Sequence, residues 1–188
     1  MYKDLKKGIS VVEVGCGAAI PTKTLATRYP QCKLLATDIC ADNLERAKTT
    51  CQGLENVELR VMDACNASSD LNEKFDLAMM FDVYHDVPYP DKLIAGIHRI
   101  LKPGGMLLMN DIGAHESITA NKEENAAMFG MYYTISSLYC MPTSYKYPDG
   151  AGIGACGGME LYERKLKDVF TDVRKVAKDI GLFFLCTK

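Results

Sequence analysis

Val11-Val12-Glu13-Val14-Gly15-Cys16-Gly17 is the stretch that decides the fold. A short apolar run carries one acid, and two glycines follow, one residue apart. Ala18-Ala19-Ile20-Pro21 then leads into a polar segment suited to a helix. That order spells strand, tight turn and helix near the start of an α/β domain. Glycines at such a turn let the backbone approach a ligand where a Cβ would collide. The spacing also separates cofactors. A dinucleotide fingerprint needs Gly-x-Gly-x-x-Gly, and the third position here is Ile20. The frame is instead Glu-x-Gly-x-Gly, with the acid two residues before the first glycine.

Working outward, strands and helices alternate. Val11–Val14 reads as the first strand and Thr22–Arg28 as a short helix opened by Pro21, which a first helical turn tolerates. Lys33–Thr37 is a second strand ending at Asp38. Asp42–Cys51 is a helix with Leu44, Ala47 and Cys51 at helical spacing. Val57–Met62 is a third strand closed by Asp63. Phe75–Met80 is a fourth, near-continuously apolar, as expected of a strand buried on both faces. Asp91–Leu101 is the clearest helix, with Leu93, Ile94, Ile97, Ile100 and Leu101 on one stripe. Lys102-Pro103-Gly104-Gly105 is expected to end it sharply, before a fifth strand at Met106–Asn110. Such alternation implies a parallel sheet with helices on both faces.

The pattern breaks over residues 112–157, which are long, aromatic and methionine-rich and end in the glycine-rich run Gly150–Gly158. An excursion of this length reads as a functional lid, or as a helical subdomain covering core. Methionines and aromatics suit an adaptable apolar pocket wall. Met159–Val169 resumes a helix. Thr171–Lys178 and Leu182–Thr187 are expected as a closing pair of strands joined around Asp179-Ile180-Gly181.

The bulk numbers narrow the function classes. A chain of 188 residues with 48% apolar content is expected to form one domain with a proper core. A net charge of −2 gives no reason to expect nucleic acid or an anionic membrane as partner. No apolar run is long enough to span a bilayer, and the start carries no signal-peptide pattern. Eight scattered cysteines form no Cys-x-x-Cys, so zinc-type spacing is absent along the chain. They are expected as reduced, mostly small core residues in a cytoplasmic protein. Neither the three histidines nor the acids cluster at ligand spacing, so no metal is expected.

Ligands of open α/β sheets sit at the carboxyl ends of the strands, and the candidate residues fall there. Asp38 lies 21 positions beyond Gly17, the spacing at which an acid accepts hydrogen bonds from ribose hydroxyls. Its alternative is a strand-end or helix-capping role. Glu13, inside the first strand, needs partners as a buried carboxylate. His85, in Phe81-Asp82-Val83-Tyr84-His85-Asp86, is the best general-base candidate, because its unperturbed pKa lies near neutrality. Its rival reading is a structural histidine. Asp86 either orients His85 or caps the next helix. His98 is read as structural or exposed, and His115 as a second candidate near the pocket.

Glu13-x-Gly15-x-Gly17, Asp38, Asp63, the strand-four exit and Lys102-Pro-Gly-Gly105 resemble, in order and spacing, motif I and its successors in the Rossmann-like S-adenosylmethionine (SAM) methyltransferases. The resemblance covers essentially the whole chain. It implies a three-layer αβα sandwich with a mostly parallel seven-stranded sheet in the order 3-2-1-4-5-7-6, strand seven antiparallel. Residues 112–157 would be a helical, aromatic insertion that partly caps the substrate. It implies SAM as cofactor, with S-adenosylhomocysteine as product. The cofactor residues would be Glu13, Gly15, Cys16, Gly17, Asp38, Ile39, Asp63, Ala64 and Phe81, with Asp63 on the adenine amino group or simply a turn acid. Ala19 stands where motif I often carries a third glycine.

A narrower resemblance rests on Tyr133-Thr-Ile-Ser136, Leu138-Tyr-Cys-Met141, Gly150-Ala-Gly-Ile-Gly154 and His85-Asp86. These are similar to methyltransferases whose catalytic domain follows an N-terminal winged-helix domain that helps dimerise the protein and cover the substrate. Here the first strand begins about ten residues into the chain, so that domain is expected to be absent. Residues 1–188 are then one methyltransferase domain, and a homodimer stays open. The expected function is methyl transfer to an oxygen, nitrogen or carbon nucleophile of a small molecule, with no nucleic-acid or membrane partner. The alternatives are a non-catalytic SAM-binding or interaction protein and an NAD-dependent oxidoreductase, the latter disfavoured by Ile20.

Overall fold

The computed structural model of the chain describes residues 2–176 and 182–188. Among these, seven strands form one sheet: β1 (Ser10–Val14), β2 (Lys33–Asp38), β3 (Val57–Val61), β4 (Phe75–Phe81), β5 (Leu101–Asp111), β6 (Asp172–Lys175) and β7 (Leu182–Thr187). Their order is β3-β2-β1-β4-β5-β7-β6. The pairs from β3 through β5 are parallel, and β7 runs antiparallel to both β5 and β6. This is the expected sheet. The turn expected around Asp179-Ile180-Gly181, with the end of the strand before it, lies outside the described residues.

Helices cover both faces: α1 (Tyr2–Lys7), α2 (Ile20–Arg28), α3 (Ala41–Thr50), α4 (Pro90–Ile100), α5 (Ile118–Ile135), α6 (Met141–Tyr145) and α7 (Met159–Lys167). Successive side chains of a strand point to opposite faces, and the core divides accordingly. Val12, Val14, Ala78, Met80, Leu107 and Met109 pack with the α4 stripe and with Tyr162 and Leu166 of α7. Val11, Leu34, Leu77 and Met79 pack on the other face with Leu5 of α1 and Ala26 of α2. Ile97 and Ile100 are fully buried, and each such side chain contributes about 1.5–3 kcal/mol.

Two local differences have physical causes. Lys102-Pro-Gly-Gly105 does not lie between helix and strand. The strand begins at Leu101, which pairs with Phe75, and a register shift carries it past the prolyl-glycyl segment to Leu77↔Met106. Lys102 Nζ secures that segment through 2.8 Å bonds to both oxygens of Asp76. The sequence reading assigned nothing before Ser10, yet α1 forms there and buries Leu5.

The insertion after β5 is helical. Asn125 breaks the regular geometry of α5 with φ −162° and ψ 87°. A wide π-type turn, Ser136–Cys140, joins α5 to α6. Ser136, Cys140 and Ser144 are all buried. They recur at four-residue spacing, one face of a helix, and the glycine-rich run lies against that face. Ala155 N–H donates to Ser136 Oγ and Gly152 N–H to Ser144 Oγ, each at 3.0 Å. The run is also sewn to the β4 exit, by Gly154 N–H to the His85 carbonyl at 3.0 Å and Ala151 N–H to the Pro88 carbonyl at 2.9 Å. Several expected pocket-wall side chains are exposed instead: Tyr139 is 63%, Tyr145 57% and Met131 53% exposed.

Gly154 has φ +69°, and a Cβ there would stand 2.1 Å from Ser136 Oγ. Left-handed backbone costs a non-glycine residue about 1–2 kcal/mol, and overpacking adds about 1–3. Gly154→Ala is therefore expected to destabilise the chain by about 2–5 kcal/mol, read as a lower urea midpoint. An unchanged midpoint would contradict the packing described.

Candidate functional site

The carboxyl ends of β1, β2 and β4 converge on the glycine turn. Gly15, Gly17 and Ala19 all take positive φ. At Gly15 the need for glycine comes from the protein itself: a Cβ would lie 2.5 Å from Val83 Cγ2, so the β4 exit presses against the turn. At Gly17 a Cβ would meet nothing within 4 Å, which leaves the outer side of the turn open.

Asp38 holds this turn in place. Its Oδ2 accepts from Gly17 N–H at 2.9 Å, and its Oδ1 accepts from Cys40 N–H at 2.8 Å and Asn43 Nδ2 at 3.2 Å. A carboxylate offers about four lone-pair sites, so three protein donors leave one for a ligand hydroxyl. The carboxylate is buried. Glu13 is buried too, and accepts from the Thr22 backbone N–H at 3.0 Å and from the Thr22 hydroxyl. Burial pushes its carboxyl up to about 6, with the Thr22 bonds pulling the other way. Of the partners expected for Glu13, the loop supplies the amide, at the first turn of α2.

Asp63 Oδ1 accepts from Cys65 N–H at 2.9 Å, capping the short turn Ala64–Asn66. Ala64 beside it is buried under α4, where Gly96 gives the room. Ile39 is 62% and Ile20 59% exposed, two apolar side chains left in the open beside the glycine turn. Cys16 is buried, which raises its thiol to about 12 and makes it a poor nucleophile at neutral pH. Phe81, half-buried, ends β4.

His85 is almost fully buried beyond that end. Its Nδ1 is 2.7 Å from Asp111 Oδ1, and its Nε2 is 3.2 Å from Asp86 Oδ1. The orienting acid is thus Asp111, and Asp86 faces the other nitrogen. α4 has no side-chain cap at its start, so Asp86 does not serve there. Asp111 is itself fixed by the Ile112 N–H at 2.8 Å. Its Oδ2 and the hydroxyls of Tyr84 and Tyr162 are buried without a hydrogen-bond partner. Burial alone lowers the His85 pKa, but the hydrogen bonds and charges of Asp111 and Asp86 outweigh it and push the ring up to about 11.

The other two histidines contact other side chains of the chain. His98 stacks edge-to-face on Phe170 at 5.4 Å. His115 bridges Glu160 and Glu124, each at 3.0 Å, and so ties the insertion to α7.

Sequence reading missed Asp111 and Cys140. Cys140 Sγ lies within 4.8 Å of the facing atoms of His85 and Asp86. Asp111 had a signal: β4 and β5 are neighbours, and the register Phe81↔Asn110 puts residues 82 and 111 side by side. Cys140 had none, since it arrives from the insertion. The absence of ligand spacing along the chain likewise did not foresee that folding gathers Asp82, His85 and Asp111, as well as His85, Asp86 and Cys140.

A family model described as a methyltransferase domain matches residues 5–182. The chain belongs to this family. Membership implies SAM as cofactor, and the open turn, the remaining Asp38 lone pair and the exposed isoleucines fit an adenosyl group. Over 107 residues the chain is 33% identical to the mitochondrial ubiquinone biosynthesis O-methyltransferase of Candida albicans, covering 55% of this chain and 32% of that protein. It is 32% identical over 119 residues to a trans-aconitate 2-methyltransferase of Deinococcus radiodurans, covering 61% and 44%. A ribosomal RNA small subunit methyltransferase C of Yersinia pestis is 31% identical over 103 residues, covering 52% and 29%. The chain thus spans less than half the length of these relatives. A SAM-dependent methyltransferase of Methanosarcina mazei shares the fold over 100% of this chain and 95% of its own, with a TM-score of 0.67 at 20% identity. An O-methyltransferase family protein of Burkholderia thailandensis does so over 95% and 50%, with a TM-score of 0.72 at 15% identity. No helix among the described residues is long and apolar enough to cross a membrane.

The raised His85 pKa makes the dyad a pH-dependent stabiliser. A group whose folded pKa lies above its unfolded value stabilises fully below about 6.5 and loses that contribution as pH rises through about 11. The wild-type urea midpoint is therefore expected to fall more steeply between pH 7 and 10 than that of Asp111→Asn. Parallel slopes would contradict the pairing.

Proposed function

We propose that this domain moves a methyl group from SAM to a small-molecule nucleophile by in-line displacement. The observation that carries this reading is the Gly15–Gly17 turn, open outward and locked by Asp38, on the carboxyl ends of adjacent strands. The bound cofactor supplies a methyl group on a reactive sulfonium. The chain's own residues then bind and align. Asp38 takes a ribose hydroxyl on its remaining lone pair, with Ile39 against the adenine and Asp63 and Ala64 at its edge. Gly15, Cys16 and Gly17 offer backbone to the amino-acid portion, and Glu13 fixes the turn through Thr22. Phe81 closes the β4 side. Alignment of this kind can lower a barrier by about 7–11 kcal/mol.

His85 is the proposed general base, and Asp111 is its positioning residue. Base assistance contributes about 10²–10⁴-fold. Because the ring holds both protons at neutral pH, only its deprotonated fraction accepts, and base-assisted turnover rises with pH toward about 11. The domain organisation follows: residues 1–188 as one methyltransferase domain with 112–157 as a partial substrate cap, of the group that carries a winged-helix domain. The named relatives are methyltransferases of ubiquinone biosynthesis, of trans-aconitate and of ribosomal RNA. The net charge of −2 favours a small acceptor here.

Two variants and one screen test this. Asp38→Ala is expected to weaken SAM binding about 10–100-fold, the value of one hydrogen bond to a charge; unchanged affinity in equilibrium dialysis removes Asp38 from the ribose role. His85→Ala is expected to lower turnover about 10²–10⁴-fold with a smaller change in SAM affinity and to flatten the alkaline rise; unaltered turnover relegates His85 to packing. Label from methyl-tritiated SAM is expected in small metabolites rather than in ribosomal RNA. The reverse would overturn the small-acceptor reading.

A further inference from the structure

His85, Asp86 and Cys140 each bring one potential ligand atom to the β4 exit, all within 4.8 Å of one another. We propose that these three side chains form a binding site for one thiophilic divalent cation of the zinc class.

The ring is already turned for ligation. Nδ1 is committed to Asp111 Oδ1 at 2.7 Å, and that carboxylate, fully buried, is held in turn by Ile112 N–H. Metal-ligating histidines are characteristically held this way, the non-ligating nitrogen on a carboxylate. Nε2 is thereby aimed at Asp86 Oδ1, 3.2 Å away. Asp86 Oδ1 is sealed from solvent, and His85 Nε2 is the group that faces it. A buried carboxylate needs a positive partner, and a cation between the two groups would take the place of the proton on Nε2. Cys140 is 3% exposed. Its helix face is pinned by the bonds that Ala155 and Gly152 N–H donate to Ser136 and Ser144 Oγ, and Gly154 N–H of that run donates to the His85 carbonyl. The thiol and the imidazole therefore belong to one rigid unit, although 55 residues separate them in the chain.

One sulfur, one nitrogen and one oxygen donor suit zinc, whereas magnesium and calcium require oxygens. Tetrahedral zinc with bonds of about 2.0–2.3 Å places its ligands roughly 3.3–3.8 Å apart, so small side-chain rotations close the site. The trio of Asp82, His85 and Asp111 is the poorer candidate. It uses the nitrogen already bonded to Asp111, and the Asp82 side chain is 69% exposed. Three protein ligands leave a fourth position, the pattern of catalytic zinc sites. With the cation bound, His85 is a ligand and no longer a base. An acceptor heteroatom in the fourth position would then release its proton to solvent under the charge of the cation. That last consequence rests on the methyl-transfer reading; binding of the cation does not.

The test uses the full chain, stripped with chelator, and two probes: Zn²⁺ alone in competition with a chromophoric chelator, and Co²⁺ alone for its spectrum. The expected result is one equivalent of zinc and a cobalt form with a thiolate charge-transfer band. Cys140→Ser is expected to abolish that band and weaken zinc at least about 100-fold, and Asp111→Asn to weaken it about 10–100-fold. S-adenosylhomocysteine binding on the same samples reports separately on folding and on the cofactor site. A folded wild-type chain that takes up no stoichiometric zinc overturns the proposal, whatever its cofactor binding. So does a charge-transfer band that survives Cys140→Ser.

Discussion

The carboxylate of Asp38 is the hinge on which the cofactor end of the sheet turns. One oxygen holds the Gly17 amide and the other holds Cys40 and Asn43. Two loops that follow neighbouring strands are thus fixed by one buried side chain. Hydrogen bonds to a charged group are worth about 1.5–3 kcal/mol each, enough to keep three alternate positive-φ residues, Gly15, Gly17 and Ala19, in one conformation. The β4 exit then packs on the result, with Val83 in the space that a Cβ at Gly15 would fill. Site and fold are therefore one structure here: the turn that is open to a ligand is also the turn that seats β4 beside β1.

A second constraint joins the insertion to the sheet. His85 sits between Asp111 of β5 and Asp86 of its own loop. The His85 carbonyl accepts from Gly154, and Ser136 and Ser144 hold the flanking residues of the same glycine run. Movement of the insertion must consequently pull on the histidine. The outer face of the insertion carries exposed Leu138 and Tyr139.

Much of this was legible in the sequence, for a local reason. Gly15, Gly17, Asp38 and Asp63 lie at the ends of short strands, and a parallel sheet aligns those ends by itself. Their spacing therefore carries nearly all the information. The strand order came through a family resemblance and the structure has it. What escaped the reading depends on tertiary contact. Asp111 matters because β5 lies beside β4, a fact of strand order rather than of spacing. Cys140 matters because an irregular excursion folds back on the sheet, which no periodicity encodes. Lys102-Pro103-Gly104-Gly105 reads as a helix stop because proline and glycine end helices; pairing of Leu101 with Phe75 instead draws Leu101 and the prolyl-glycyl segment into the strand. The aromatic and methionine residues of the insertion were expected to line a pocket, and composition alone could not say which face they would take.

The central claim is that a ligand binds on the turn locked by Asp38. The most direct measurement is the amide spectrum of the ¹⁵N-labelled chain during titration with S-adenosylhomocysteine. The account predicts saturable shifts concentrated at Gly15, Cys16, Gly17, Ile39 and Cys40, with smaller ones at Cys65 and Asp82. A cavity of about 640 Å³ lies at the opposite end of the sheet, lined by Ser10, Lys33, Val57 and Phe75 among others. Shifts gathered there, with the glycine turn unmoved, would contradict the account.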